Sequence, residues 1–175
     1  MWFSLLASLQ LVLALRVGLR FLRSAGGVRI KAAKTVRSDR VTVIVPVLNE
    51  RGRLEACLED LMSQYLAVAE ILVVDGGSSD GSQAIAERCR SRDRRVRLID
   101  ASPVPFDWTG KAWGLYMGLK NSDPASQWIL CIDADVRCSP LLVASLLAHA
   151  ELTGVSTFSV ATQQHISGRV DALLH

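Results

Sequence analysis

Trp128-Ile-Leu-Cys-Ile-Asp-Ala-Asp135 is an apolar run that closes on two carboxylates one residue apart. A parallel strand buried on both faces needs uninterrupted apolar side chains, so a charge pair belongs where the strand emerges. The stretch therefore predicts a buried strand over Gln127–Ile132 with Asp133 and Asp135 at its carboxyl end. In open α/β sheets that edge is where ligands bind. Two neighbouring acids repel unless a cation compensates, and a divalent ion that also holds phosphate oxygens is one such cation. An ordinary acidic turn after a strand is the other reading of the same pair.

Outward from this run, short apolar stretches alternate with amphipathic ones. Val41–Pro46, Glu70–Val74 and Val96–Ile99 read as strands, with Pro46 ending the first, and Val155–Ala161 as a fifth strand. Leu54, Cys57, Leu58, Leu61 and Met62 recur at helical spacing. Ala84–Arg90, the segment opening at Gly110-Lys111, and Pro140–Ala150 read as further helices, with an irregular loop over 101–109. Such alternation implies βαβ units and a mostly parallel sheet flanked by helices, a Rossmann-like α/β fold. The strand ends then carry Pro46, Asn49 and Glu50, then Asp75, then Gly110-Lys111, then Asp133 and Asp135. Acids, one lysine and glycine turns suit a metal–diphosphate–nucleoside ligand. No Gly-x-Gly-x-x-Gly follows the first strand, and no P-loop signature occurs. Asp75 and Asp80 could instead cap the next helix, and Lys111 could be a solvated first-turn residue.

The chain has 175 residues, half of them hydrophobic and 21% charged, enough to bury a core. Its net charge of +3 is divided unevenly: residues 1–40 hold eight Lys/Arg and one acid, and residues 41–175 hold twelve Lys/Arg and sixteen acids. The basic head therefore does not imply a nucleic-acid partner. The arginines at 88, 90, 92, 94, 95 and 97 read as a solvated face. Cys57, Cys89, Cys131 and Cys138 lack zinc spacing and read as small buried hydrophobes in a reducing compartment.

Residues 2–15 are uncharged, and the apolar character continues to Leu22 past Arg16 and Arg20. With Arg23 these arginines fall at i, i+4, i+7, on one helical face. A helix over 2–22 could cross the membrane, its arginines reaching the headgroups, or lie obliquely at the inner interface. A cleaved signal peptide and a soluble amphipathic helix are the competing readings. The positive flank follows the apolar run, which places the body on the cytoplasmic side of the cytoplasmic membrane. The organisation expected is an anchor helix over 1–23, a basic linker over 24–40 and a ligand-binding domain over 41–175.

Four motifs in this order resemble glycosyltransferase family 2, with its GT-A nucleotide-sugar fold. They are Val41-Thr-Val-Ile-Val-Pro-Val-Leu-Asn-Glu50, Ile71-Leu-Val-Val-Asp-Gly-Gly-Ser-Ser-Asp-Gly-Ser82, Thr109-Gly-Lys-Ala112 and Ile132-Asp-Ala-Asp135. The Trp108–Trp113 stretch is similar to the subgroup acting on polyprenoid-type lipids, such as the hopanoid-associated and carotenoid glycosyltransferases. The resemblance implies that Val45, Pro46, Asn49 and Glu50 line the nucleotide pocket. It implies that Asp75 accepts a hydrogen bond from the base, usually uracil, and that Lys111 approaches the diphosphate or sugar. Asp133 would lie near the ribose or sugar and, with Asp135, at a bound Mg²⁺ or Mn²⁺. Gly76 departs from the family, where a second Asp is common.

The implied reaction is inverting transfer from a nucleotide-diphosphate sugar to a membrane-lipid acceptor. The family's general base lies well after the Asp-x-Asp, and here only Glu151 and Asp171 follow it, outside any family motif. The base is therefore expected beyond His175, and His149, His165 and His175 are read as incidental. A catalytically incomplete nucleotide-sugar-binding fragment or degenerate homologue is the alternative. A phosphate-transferring Asp-x-Asp enzyme is disfavoured, because Val136-Arg137 stand where a hydroxyl residue is usual.

Overall fold

A computed structural model describes residues 2–25, 29–33, 40–64 and 67–161. The chain divides into two compact units, residues 1–31 and 32–175.

The first unit contains one helix, α1 (Trp2–Ala25). Leu11, Val12, Leu13, Leu15, Val17 and Leu19 on it are exposed. The expected helix is present, but the membrane crossing expected of it is not supported. Among the described residues no helix is long and apolar enough to cross a membrane. Arg16 and Arg20 interrupt the apolar run from within.

The second unit runs β1 (Val41–Val47), α2 (Leu54–Met62), β2 (Val68–Asp75), α3 (Ser82–Arg92), β3 (Val96–Asp100), α4 (Gly110–Asn121), β4 (Trp128–Cys131), α5 (Leu142–Thr153). The four strands form one parallel sheet in the order β3-β2-β1-β4. The chain steps outward through β2 and β3, then crosses back over β1 to place β4 on its far side. Parallel crossovers keep one hand, so a crossover running in the reverse direction carries its helix on the opposite face. Accordingly α2, α3 and α5 pack on one face and α4 on the other. β1 and β2 are buried on both faces and their side chains alternate. Val41, Val43, Val45, Ile71 and Val73 enter the larger core, while Ile44, Leu72 and Val74 enter the core under α4.

Three readings of the sequence change here. β4 is the edge of the described sheet, and Ile129 and Cys131 on one of its faces are exposed. Cys131 is therefore not the buried hydrophobe expected, whereas Cys57, Cys89 and Cys138 are buried. Residues 155–161 form no strand. Arg95 is no solvated-face residue: it ion-pairs with Asp93 at 2.6 Å and donates to the Met62 and Val68 carbonyls at 2.6 and 3.1 Å. Arg97 is exposed, as the solvated-face reading expects, and its guanidinium also pairs with the buried Glu70, which accepts from Thr42 Oγ1 in the central strand at 3.0 Å. The linker expected over 24–40 lies partly outside the described residues, and within it the Ala33 N–H donates to Ser145 Oγ at 3.0 Å.

Candidate active site

β1 and β4 pair only from Val41↔Trp128 to Ile44↔Cys131. The Ile44 carbonyl accepts from Ile132 N–H at 3.1 Å, so the polar groups of Ile44, and of Pro46 two residues on, face β4. Proline has no N–H to donate, so pairing with β4 has no reason to continue past it. Pro46 thus does not end β1, which runs on to Val47 beside β2, but marks where β4 parts from it. A cleft of about 460 Å³ opens there, lined by Pro46, Glu50, Gly76, Lys111, Asp133 and Asp135 among others. It sits at the carboxyl ends of the strands where the sheet order reverses, the usual ligand position in such sheets.

Lys111 stands in the first turn of α4, whose N-cap Thr109 accepts from Ala112 N–H at 3.3 Å. Its ammonium bridges both oxygens of Asp133, at 2.7 and 2.9 Å. Arg53, just before α2, spans two acids: its Nε lies 3.1 Å from Glu50 Oε2 and its Nη1 3.6 Å from Asp135 Oδ2. Glu50 Oε2 is buried and accepts no hydrogen bond among the described residues.

Asp75 ends β2 and is 1% exposed. Its Oδ2 accepts from Gly77 N–H at 3.0 Å, Ser78 N–H at 2.9 Å and Gln83 Nε2 at 2.6 Å. Its Oδ1 is buried with no hydrogen-bond partner among the described residues. A buried acceptor left unpaired is costly, so it marks a place for a donor. Gly77, at φ 99°, makes the turn that brings these two amides onto one oxygen.

The other expected residues are placed differently. Val45 is fully buried in the larger core, because strand alternation turns it away from Pro46. Asn49, at φ 58°, builds the loop: its N–H donates to Ser78 Oγ and its Oδ1 accepts from Ser79 N–H, both at 2.9 Å. Asp80 fastens the same loops, accepting from Arg51 N–H at 2.9 Å and from Ser82 Oγ at 2.6 Å. These hydrogen bonds hold its carboxyl below the usual range, that from Ser82 most of all. Asp80 is thus structural, while Asp75 fastens the loop through Oδ2, leaves Oδ1 unpaired and is not among the residues lining the cleft. Glu151 does not line the cleft, His149 packs edge-on to Phe158, and Asp171, His165 and His175 lie outside the described residues.

Arg53 was missed from sequence. The available signal was its i, i+3 spacing from Glu50 at a helix start, which brings the pair together.

Beneath this cleft, Asp60 accepts from Arg137 Nε at 2.7 Å, Arg137 Nη2 at 3.0 Å and Cys138 N–H at 3.0 Å, pinning the segment after Asp135 to α2. The guanidinium hydrogen bonds lower the Asp60 pKa. Burial pushes the Cys57 thiol up to about 12 and that of Cys138 to about 11.

A parallel α/β sheet with carboxylates and a lysine at its switch point defines a nucleotide-type ligand-binding fold. Residues 42–174 match the model of glycosyl transferase family 2, and the chain belongs to that family. It is 37% identical over 143 residues to the succinoglycan biosynthesis protein ExoA of Rhizobium meliloti, covering 71% of this chain and 42% of that protein. It is 30% identical over 99 residues to the 4,4'-diaponeurosporenoate glycosyltransferase of Staphylococcus haemolyticus, covering 57% and 25%. Among solved structures it is similar to the Mycobacterium tuberculosis glucosyl-3-phosphoglycerate synthase, crystallised with Mn²⁺, UDP and glucosyl-3-phosphoglycerate. That match has 26% identity and TM-score 0.53 and covers 66% of this chain and 40% of the other. The chain thus spans less than half the length of these relatives.

Proposed function

We propose that this domain binds a nucleotide-diphosphate sugar, a UDP-sugar, for metal-dependent, inverting transfer to a membrane-lipid acceptor. The observation that carries the reading is the convergence of Lys111, Asp133 and Asp135 on one cleft at the switch point. The unpaired Asp75 Oδ1 supports the choice of base, since it can accept the imide N–H of uracil, which cytosine lacks. Lys111 supplies positive charge for the diphosphate.

Asp133 and Asp135 fit a Mg²⁺ or Mn²⁺ ion, which takes one or two carboxylates plus phosphate oxygens. Among the described residues no three His, Cys, Asp or Glu side chains form a metal cage, so the remaining ligands would be phosphate and water. Such an ion would neutralise the leaving diphosphate. The diaponeurosporenoate relative supports a polyprenoid-type acceptor. The Arg16 and Arg20 spacing supports α1 lying along the cytoplasmic face of the membrane, its arginines toward anionic headgroups.

One observation favours a second reading, donor binding without transfer. The acids lining the cleft are all held by cations, Glu50 and Asp135 by Arg53 and Asp133 by Lys111, so none stands ready as a general base.

Calorimetry with UDP, CDP and GDP, with and without Mn²⁺, tests the donor site. Metal-dependent binding that favours UDP over CDP is expected, and Asp75→Ala should erode that preference. Failure to bind any nucleoside diphosphate refutes the donor reading. Transfer from labelled donor to membrane lipid extract separates the two readings. Flotation with anionic vesicles, with and without residues 1–31, tests the interfacial helix.

A further inference from the structure

Both carboxylates of the Asp-x-Asp pair are already engaged by side-chain cations. The Lys111 ammonium sits on both oxygens of Asp133, and the Arg53 guanidinium reaches Asp135 while leaning on Glu50. Each cation comes from a different segment, the entry to α2 and the first turn of α4. The side chains of Arg53, Lys111, Asp133 and Asp135 are all more than half exposed. Exposed pairs of this kind are each worth only about 0.2–1 kcal/mol, so they exchange readily when a better anion arrives. A diphosphate is such an anion: it carries more charge than one carboxylate, and guanidinium and ammonium groups both bind phosphate well.

We propose that Arg53 and Lys111 form a latch that occupies the metal-binding carboxylates of the nucleotide-free protein and is drawn off them by the nucleotide's diphosphate. This rests on the reading of the cleft as a diphosphate and metal site. In the free protein a divalent ion must displace two side-chain cations and sit beside them, which weakens its binding. With the diphosphate present, the same cations turn to phosphate and the carboxylates are released to the ion. Metal and nucleotide therefore bind with positive coupling, and each tightens the other by the same factor. Glu50 has a part of its own: its Oε2, with no hydrogen-bond donor, lies 3.1 Å from Arg53 Nε and keeps the guanidinium beside the acids of the cleft while Nη1 moves. Arg53 is accordingly a positioning residue that sets the order of ligand binding.

The test is Mn²⁺ titration of the full chain, followed by the electron paramagnetic resonance signal of the free ion, with and without saturating UDP. Without nucleotide, Arg53→Gln and Lys111→Met should each bind Mn²⁺ about two- to fivefold more tightly than the parent chain. Arg53→Lys, which keeps a cation, should return toward the parent value. With UDP saturating, Arg53→Gln should match the parent, because the latch is then already open. A merely structural role for Arg53 would instead weaken Mn²⁺ in both conditions. Equal or weaker Mn²⁺ binding by both variants without nucleotide overturns the latch. Absence of any UDP effect on Mn²⁺ in every protein refutes the donor reading, while the metal-alone comparison still decides the latch.

Discussion

Gly118→Ala is the sharpest test of how α4 is seated. A Cβ at Gly118 would lie 3.1 Å from Ile44 Cδ1 and 3.2 Å from Ile44 Cγ1, and inside hard contact with Cγ2. Ile44 is 1% exposed and packs with the buried Leu72 and Val74, so it has little room to give way. Overpacking of this kind costs about 1–3 kcal/mol. Against it stands the gain of about 1 kcal/mol for alanine over glycine in a helix interior. Because the added Cβ falls inside hard contact, the upper part of that range applies, about 2–3 kcal/mol, and the net expectation is a loss of about 1–2 kcal/mol, read as a lower urea midpoint at unchanged slope by circular dichroism. Gly110→Ala, where a Cβ meets nothing within 4 Å, is the control and should be neutral or slightly stabilising. Ile44→Ala makes the space that the added methyl group needs, so the double variant should be more stable than the sum of the two single losses predicts. Lifting α4 also moves Lys111, about 10 Å away along the helix axis, so UDP affinity should fall with stability. A Gly118→Ala chain as stable as the parent, or strict additivity with Ile44→Ala, would refute this account of the helix–sheet contact.

Arg95→Ala should destabilise the domain by about 2–3 kcal/mol in the same urea assay, because it strips the Asp93 carboxylate and two backbone carbonyls of one shared donor group. For Asp60 the folded pKa is depressed, chiefly by Arg137, so its stabilisation is present above the unfolded value near about 3.9 and is lost as pH falls through the folded value. Asp60→Asn should therefore lower the melting temperature at neutral pH, with the gap to the parent closing in acid; a gap constant to pH 2 would contradict the assignment. In native protein at pH 8, alkylation followed by mass spectrometry should modify the exposed Cys131 first. Cys57 and Cys138, buried with raised pKa values, should react only on unfolding.

Much of this protein was readable without coordinates. Val41–Val47 and Val68–Asp75 are apolar along their length because both faces of a central parallel strand are covered, and that constraint is written residue by residue. Asp133 and Asp135 could be placed at a strand end because the apolar run stops at them, although one face of that strand proved exposed. Local turn chemistry likewise marked Gly77 and the hydroxyl-rich loop after Asp75. Partner identity was another matter. Nothing in Trp128–Cys131 says that it lies beside β1 and at the edge of the described sheet, so the exposure of Cys131 could not be foreseen. Residues 155–161 have an apolar bias yet form no strand, because a strand is made by its neighbour as much as by its own composition. Val45 and Pro46 are adjacent in sequence, and only the pleat sends one to the core and the other to the cleft. Arg95 looked like one solvated arginine among six until the crossover from α2 to β2 brought the Met62 and Val68 carbonyls to it. By itself the sequence determined the strand-forming segments, the acids at their ends and the family, because these rest on local patterns and short motifs. Only the tertiary structure decided which cation meets which acid, Arg53 at Asp135 and Lys111 at Asp133, because those contacts join segments tens of residues apart through the order of the strands.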